Sequence, residues 1–329
     1  MGKSSSKFTF AILFIMTIVS LVSVNLIVLA KESGVSKKLV TIRLANLQYG
    51  LGSIPHDLAI QKGIFKKHGI DLQVINFAKG GAEAAAAVAS GHVDMGSFGT
   101  PILTAISKGI SIKIVASPPV KENPFVLVGK NEIKSVKDLK GKTIATGALG
   151  GGNHQALLKI LYANGLTDKD VDIIATGGTD AELILNSGKV EAVSTSEPTV
   201  AKIARAGEGH VLAEAVDYYG HYQHSFVFAT DALIRSNPKA IGNFLKASRE
   251  AYQYAKNHQD ELVAFAKQKL EMDDGLIRDY FKNDISKWDL SFKVDIEGTA
   301  NAVKIVKDLG EIDKGVTFNP KTWLDLRFL

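Results

Sequence analysis

The sequence contains no cysteine. That excludes disulfide bonds, thiolate metal sites and a lipid-bearing cysteine behind a leader segment. Arginine is scarce, confined to Arg43, Arg205, Arg235, Arg249, Arg278 and Arg327. The formal net charge is only +5, and no basic cluster with interleaved aromatics occurs, so nothing supports nucleic-acid binding. There is no G-x-S-x-G turn and no acid–base pair at a recognisable spacing, which leaves nucleophilic catalysis without support. The glycine run 150–152 is followed by Asn153-His154 rather than Gly-Lys-Ser/Thr, so it is not a nucleotide P-loop. No cofactor is expected.

What is present is globular: 329 residues, 46% hydrophobic and 22% charged, enough for one large α/β domain or two lobes. Lys3 and Lys7 precede an uncharged apolar run from Phe8 to Ala30, and charge returns at Lys31-Glu32. This predicts an export signal over residues 1–30, with Val28-Leu29-Ala30 as a small-residue cleavage site. The run is also long enough to span a bilayer, so an uncleaved N-terminal anchor is the alternative. Either way the rest of the chain is expected outside the cytoplasm, most simply in the periplasm.

From Leu39 short β-branched runs alternate with helical stretches: VTIRLAN, IPHDLAIQKGIFKKHG, IDLQVINFA, GGAEAAAAVASG. Such an order predicts parallel sheets with crossover helices. An internal echo divides them, for residues 86–101 (AAVASGHVDMGSFGTP) and 183–198 (LILNSGKVEAVSTSEP) share Ser90/Ser187, Gly91/Gly188, Val93/Val190, Ser97/Ser194 and Pro101/Pro198. Each stretch predicts helix, Ser-Gly stop, strand, short loop and a proline opening the next helix. Two lobes built on one plan are expected, with crossings near Ser117-Pro118-Pro119 and Tyr219 to Ser225. From Asn237 the chain is helical, with apolar residues at three-to-four spacing, and is expected to serve as scaffold.

Four strand-to-helix junctions are candidates for a binding cleft, since ligands of open α/β sheets sit beyond the carboxyl ends of the strands. They are Asn46 to Ser53, Ser97 to Thr100, Gly147 to His154, and Ser196-Glu197. Free N–H groups and the positive dipole end of a helix favour a strongly accepting group there, and glycine permits close approach. His154 falls in a first helical turn, where the dipole disfavours protonation; a neutral imidazole donor is one reading and an ordinary surface histidine the other. His221-Tyr222-Gln223-His224 lacks a matching carboxylate motif and is expected to be a hinge segment with one side chain in the cleft rather than a zinc site. Glu197 is a poor N-cap type, which suggests a ligand-facing role beside the plainer reading of a solvent-exposed acid. No arginine lies in the four junctions, so an oxyanion would depend on N–H groups, hydroxyls and His154, and a neutral heterocycle stacked on Tyr49 or Phe98 is equally open.

Together LAIQKGIFKKHGIDLQVINF, ASGHVDMGSFGTP, SVKDLKGKTIATGALGGGNH and SGKVEAVSTSEP resemble the substrate-binding proteins of ABC importers for nitrate, sulfonates, taurine and pyrimidine precursors. The resemblance runs from about Thr41 to Ile203. It implies an α/β, bilobed type II periplasmic-binding fold with lobe I formed by 38–118 plus 225–329 and lobe II by 119–224. It further implies a monomer that binds a small-molecule ligand and delivers it to an ABC permease in the inner membrane, without turnover. The family's binding positions fall here on Gln48 and Tyr49, Gly99 and Thr100, Gly151, Asn153 and His154, and Glu197. Sulfonate binders of the family often carry Trp-Asp-Pro where this chain has Ser196-Glu197-Pro198, so Glu-Pro looks more like members that take amine-bearing or pyrimidine-like ligands. The alternatives are an enzyme of thiamin-pyrimidine synthesis, whose motif requires a cysteine that is absent here, and a membrane-anchored sensing domain.

Overall fold

The computed structural model describes residues 38–47, 50–77, 81–120, 122–176 and 181–329. The predicted leader therefore lies outside the described residues. Among the described residues no helix is long and apolar enough to cross a membrane.

In chain order the strands are β1 (Val40–Leu47), β2 (Ile70–Phe77), β3 (Met95–Phe98), β4 (Ile112–Ala116), β5 (Val126–Lys130), β6 (Thr143–Thr146), β7 (Asp172–Ala175), β8 (Ala192–Thr195), β9 (Gly209–Glu214) and β10 (Phe226–Thr230). Between and after them run α1 (Ile54–Gln61), α2 (Ile64–Lys67), α3 (Gly81–Ala89), α4 (Pro101–Ser107), α5 (Gly152–Ala163), α6 (Ala181–Asn186) and α7 (Thr199–Ala206). The remainder is α8 (Asp231–Ser236), α9 (Pro238–Asn257), α10 (Gln259–Leu270), α11 (Asp274–Ile285), α12 (Ile296–Asp308) and α13 (Pro320–Trp323).

The strands form two five-stranded sheets, ordered β2-β1-β3-β10-β4 and β7-β6-β8-β5-β9. Both have the same plan. In each, a central strand pairs in parallel with two neighbours, and the strand fourth in order runs antiparallel to both of its own. The sequence echo is carried through to register: Leu44 and Ala45 of β1 face Met95 and Gly96, while Ile144 and Ala145 of β6 face Ala192 and Val193, the positions the ungapped echo equates. The antiparallel strands β5 and β10 follow the two passages of the chain from one sheet to the other, from Ala116 to Val126 and from Glu214 to Phe226.

Each sheet is covered on both faces, so the inner strands β8 and β10 are buried throughout rather than alternating, while the edge strands β2, β7 and β9 stay partly exposed. One face of the first sheet buries Ile42, Leu44, Val115 and Val227 under α1, α2 and the α8 to α11 helices. Its other face buries Ala45, Phe98, Ile114, Phe226 and Phe228 under α3, α4 and α12. In the second sheet Leu127, Ile144 and Ala192 lie under α5, and Val128, Ala145 and Val193 lie under α6 and α7. Burial of each large side chain contributes about 1.5–3 kcal/mol. That is ample to hold short strands whose intrinsic preference is weak. The scaffold helix α9 opens on Pro238 and buries Ile241, Phe244, Leu245, Ala251 and Tyr252 along one stripe. The carboxylates of Asp273 and Asp295 accept the Leu276 and Gly298 N–H groups and so cap α11 and α12.

Candidate functional site

The four junctions lie at the carboxyl ends of β1, β3, β6 and β8, the two central parallel strands of each sheet. Gln48 and Tyr49, predicted for the first junction, lie outside the described residues. The first junction leads into α1, with Gly52 near the Tyr280 hydroxyl of α11.

At the third junction each of the three consecutive glycines has an internal cause. Gly150 holds φ +75°, a backbone region side-chain-bearing residues rarely adopt. A Cβ at Gly151 would stand 2.9 Å from the Ala148 carbonyl oxygen, and one at Gly152 would stand 2.6 Å from the Phe125 ring. The loop thus turns tightly into α5. Its tip, Leu149, is 57% exposed. The first-turn N–H groups of Gly152, Asn153 and His154 have no carbonyl within α5 to bond.

The Gly150 N–H donates to His154 Nδ1 at 3.2 Å, which leaves the imidazole proton on Nε2. Burial lowers the His154 pKa below the usual histidine range, and the Asp168 charge opposes this only in part. Burial, the main cause, thus favours the neutral imidazole at His154. Asn153 is less available: its Nδ2 donates to the Ser194 carbonyl at 3.3 Å, and Ser194 Oγ donates to the Asn153 carbonyl at 3.0 Å, tying the helix start to β8.

Beneath the same turn lies Thr146. Ile144 and Ala192 pack under α5, and two residues further along the paired strands Thr146 and Ser194 face the same way. Thr146 is 2% exposed, and its hydroxyl has no hydrogen-bond partner among the described residues. Such a group costs about 1–3 kcal/mol if left unpaired.

Across from α5, Gly99 and Thr100 open α4. A Cβ at Gly99 would stand 2.7 Å from His224 Nε2. Thr100 Oγ1 donates to Gln155 Oε1, and Gln155 Nε2 donates to Glu311 Oε2 at 3.0 Å. Residues of the first sheet's layer and of α5 therefore meet directly. His224 is buried and hydrogen-bonded through Nδ1 to the Tyr222 hydroxyl at 2.7 Å; burial pushes its pKa down to about 4. The HYQH segment enters the site as a packed floor, with the Phe125 ring edge-on to His224 at 5.5 Å. His221 is turned away, bound to Asp295 at 2.5 Å.

Glu197 accepts the Ala201 N–H at 3.1 Å and thereby caps α7. It does so from one residue before the N-cap position, which Pro198 holds. The residue as a whole is exposed, yet its carboxyl has enough protein around it that burial raises its pKa, with the Ala201 N–H acting the other way.

Sequence reasoning missed Gln155 and Glu311, whereas Tyr222 and His224 belong to the segment it expected to send one side chain into the cleft. Gln155 had a faint signal, being a polar residue beside the apolar stripe Ala156, Leu157, Ile160 and Leu161. Glu311, from the loop after α12, had none. The arginines are elsewhere: Arg43 is paired twice with Asp94, Arg205 with Asp273 and Asp279, and Arg278 with Asp260 and Asp274. The site thus offers N–H groups, hydroxyls, a neutral imidazole and two carboxylates.

Comparisons with known proteins bear on this arrangement. The riboflavin-binding protein RibY of Chloroflexus aurantiacus is 26% identical over 209 residues, 62% of this chain and 58% of that protein. The matched region therefore spans less than two thirds of that relative. The periplasmic aliphatic sulphonate binding protein SsuA from Escherichia coli superposes with a TM-score of 0.70 at 23% identity, covering 88% of this chain and 99% of that one. The desulfurization enzyme DSZB does so with a TM-score of 0.63 at 15% identity, covering 88% and 97%. These likenesses establish the bilobed periplasmic-binding fold, which carries both receptors and an enzyme. Residues 53–262 match the family model described as NMT1/THI5 like, and the chain belongs to that family.

Proposed function

We propose that the protein is an extracytoplasmic solute receptor that binds a small organic anion or polar heterocycle between two lobes and delivers it to an ABC importer. The lobes are 38–118 plus 225–329 and 119–224, with the ligand held by Gln48, Tyr49, Gly99, Thr100, Gly151, Asn153, His154 and Glu197. One observation carries the reading. The start of α5 presents first-turn N–H groups, the His154 Nε2 donor and the unpartnered Thr146 hydroxyl opposite the Gly99–Thr100 turn of the other sheet. Such a set orients a polar head without supplying a nucleophile. The names of RibY and SsuA, both binding proteins, support it.

The receptor acts as a monomer in the periplasm, freed from or tethered by its first 30 residues, and hands its ligand to a permease. A thermal-shift panel of riboflavin, aminopyrimidines, aromatic carboxylates, taurine, alkanesulfonates and nitrate tests the assignment. A ligand at 100 times its Kd stabilises by about 2.7 kcal/mol. At least one compound should raise the midpoint and be recovered unchanged by mass spectrometry. A panel without any shift, or a bound compound converted to product, would overturn the reading.

A further inference from the structure

The end of α5 is not an unopposed positive pole. Glu311 reaches it from the loop after α12, with Oε2 accepting Gln155 Nε2 at 3.0 Å and Oε1 4.0 Å from His154 Nδ1. Its carboxylate also stands 3.8 Å from where a Cβ at Gly150 would be. The Glu311 side chain is only 18% exposed, so water screens it little. Lys108, exposed at the end of α4, is the cation whose charge it feels, and it offsets the effect of burial only in part. A helix end carries roughly half a positive charge, whereas a carboxylate carries a full negative one. The sum at this end is negative, while the N–H groups keep their direction.

Thr146 supplies an independent sign that a ligand group belongs here. Its hydroxyl is buried and unpartnered among the described residues, and it lies under the same turn of α5, on the strand face shared with Ser194. A hydroxyl both donates and accepts, so it can pair with either kind of ligand atom, and the choice between them falls to Glu311. A sulfonate only accepts. A cyclic imide or amide offers a carbonyl beside an N–H.

We infer that Glu311 is a specificity-determining residue: set against the start of α5, it selects solutes whose head is a neutral cyclic amide or imide and rejects sulfonates and other oxyanions. The inference rests on the receptor reading above and narrows its ligand class. Two features agree with it. Arg43, Arg205 and Arg278 are paired with carboxylates away from α5, and the Glu311 carboxylate lies close to the Gly150 turn that leads into it.

The test uses the protein as it is exported, with uracil and riboflavin as neutral imide probes and ethanesulfonate as the oxyanion, measured by calorimetry. Wild type should bind ethanesulfonate at least 10-fold more weakly than Glu311→Gln does. This variant keeps an acceptor for Gln155 while removing the charge, so its affinity for a neutral imide should change less than its affinity for ethanesulfonate. Glu311→Asp retains the charge and should go on rejecting ethanesulfonate, which separates charge from packing. Ethanesulfonate affinity unchanged by Glu311→Gln overturns the inference. If a neutral imide still binds wild type in that case, the receptor reading survives; if no probe binds either protein, this inference falls, while the receptor reading is decided by the wider thermal-shift panel. Circular dichroism of the variants establishes that they fold.

Discussion

His56 and His224 are buried histidines whose pKa values burial pushes down to about 4. His56 sits among Phe65, Phe244 and Tyr252 at ring separations of 5.3–6.0 Å, with Nε2 unpartnered among the described residues. A depressed folded-state pKa means that the unfolded chain binds more protons between pH 6.5 and 4. Stability from these groups is therefore present above about pH 6.5 and lost as pH falls toward 4. Glu197, Asp284 and Glu311, raised by burial, act in the opposite sense. Comparing wild type with His56→Phe isolates one histidine from that background. Between pH 7 and 5 the variant should escape about 2 kcal/mol of the wild-type loss, read from urea unfolding at the two pH values. Identical pH slopes would show that His56 is not held neutral. At His154 the corresponding observable is the tautomer, since its Nδ1 accepts the Gly150 N–H. Long-range ¹⁵N–¹H spectra at pH 7 should show the proton on Nε2.

At the scale of elements, the third junction turns on contact rather than flexibility. A Cβ at Gly152 meets the Phe125 ring and one at Gly99 meets the buried His224 imidazole, neither of which is the free end of a long side chain. Gly152→Ala and Gly99→Ala should each destabilise the protein by about 1–3 kcal/mol, measured by denaturant unfolding. A neutral outcome would mean that the floor of the site yields easily. The same elements mark how far the sequence was legible. Strand, Ser-Gly stop and helix-opening proline are local signals, and they suffice to match Met95–Phe98 with Ala192–Thr195 as equivalent strands. The antiparallel insertion of β5 and β10 depends on which distant edge each strand meets, and nothing within VLVGK or FVFAT states that. The loops at strand ends were legible for the same local reason. Gln155 and Glu311 reach the site only through tertiary packing. Glu197 is weighed from sequence only as an N-cap type, whereas Pro198 holds that position and Glu197 accepts the Ala201 N–H from one residue further back.

Over the whole molecule, two groups of contacts tie the layers of the two sheets together. In one, Ile305 of α12 packs against the core under α5, and Gln155 bonds Glu311. In the other, Arg205 of α7 reaches Asp273 at 2.9 Å and Asp279 at 3.1 Å, at the start and within α11. Arg205 is about half exposed and its partners more so, so the pairs contribute little to folding, about 0–1 kcal/mol. Their consequence is geometric: they link α7 to the start and the first turns of α11. Arg205→Glu places three negative charges where one positive charge bridged two. The unfolding midpoint should move little, while the radius of gyration from solution scattering rises and ligand affinity falls. Because these charges are exposed, raising salt from 50 to 500 mM should weaken both effects as the Debye length shortens. A compact variant with unchanged affinity at low salt would show that the α5–α12 contacts alone keep the halves together.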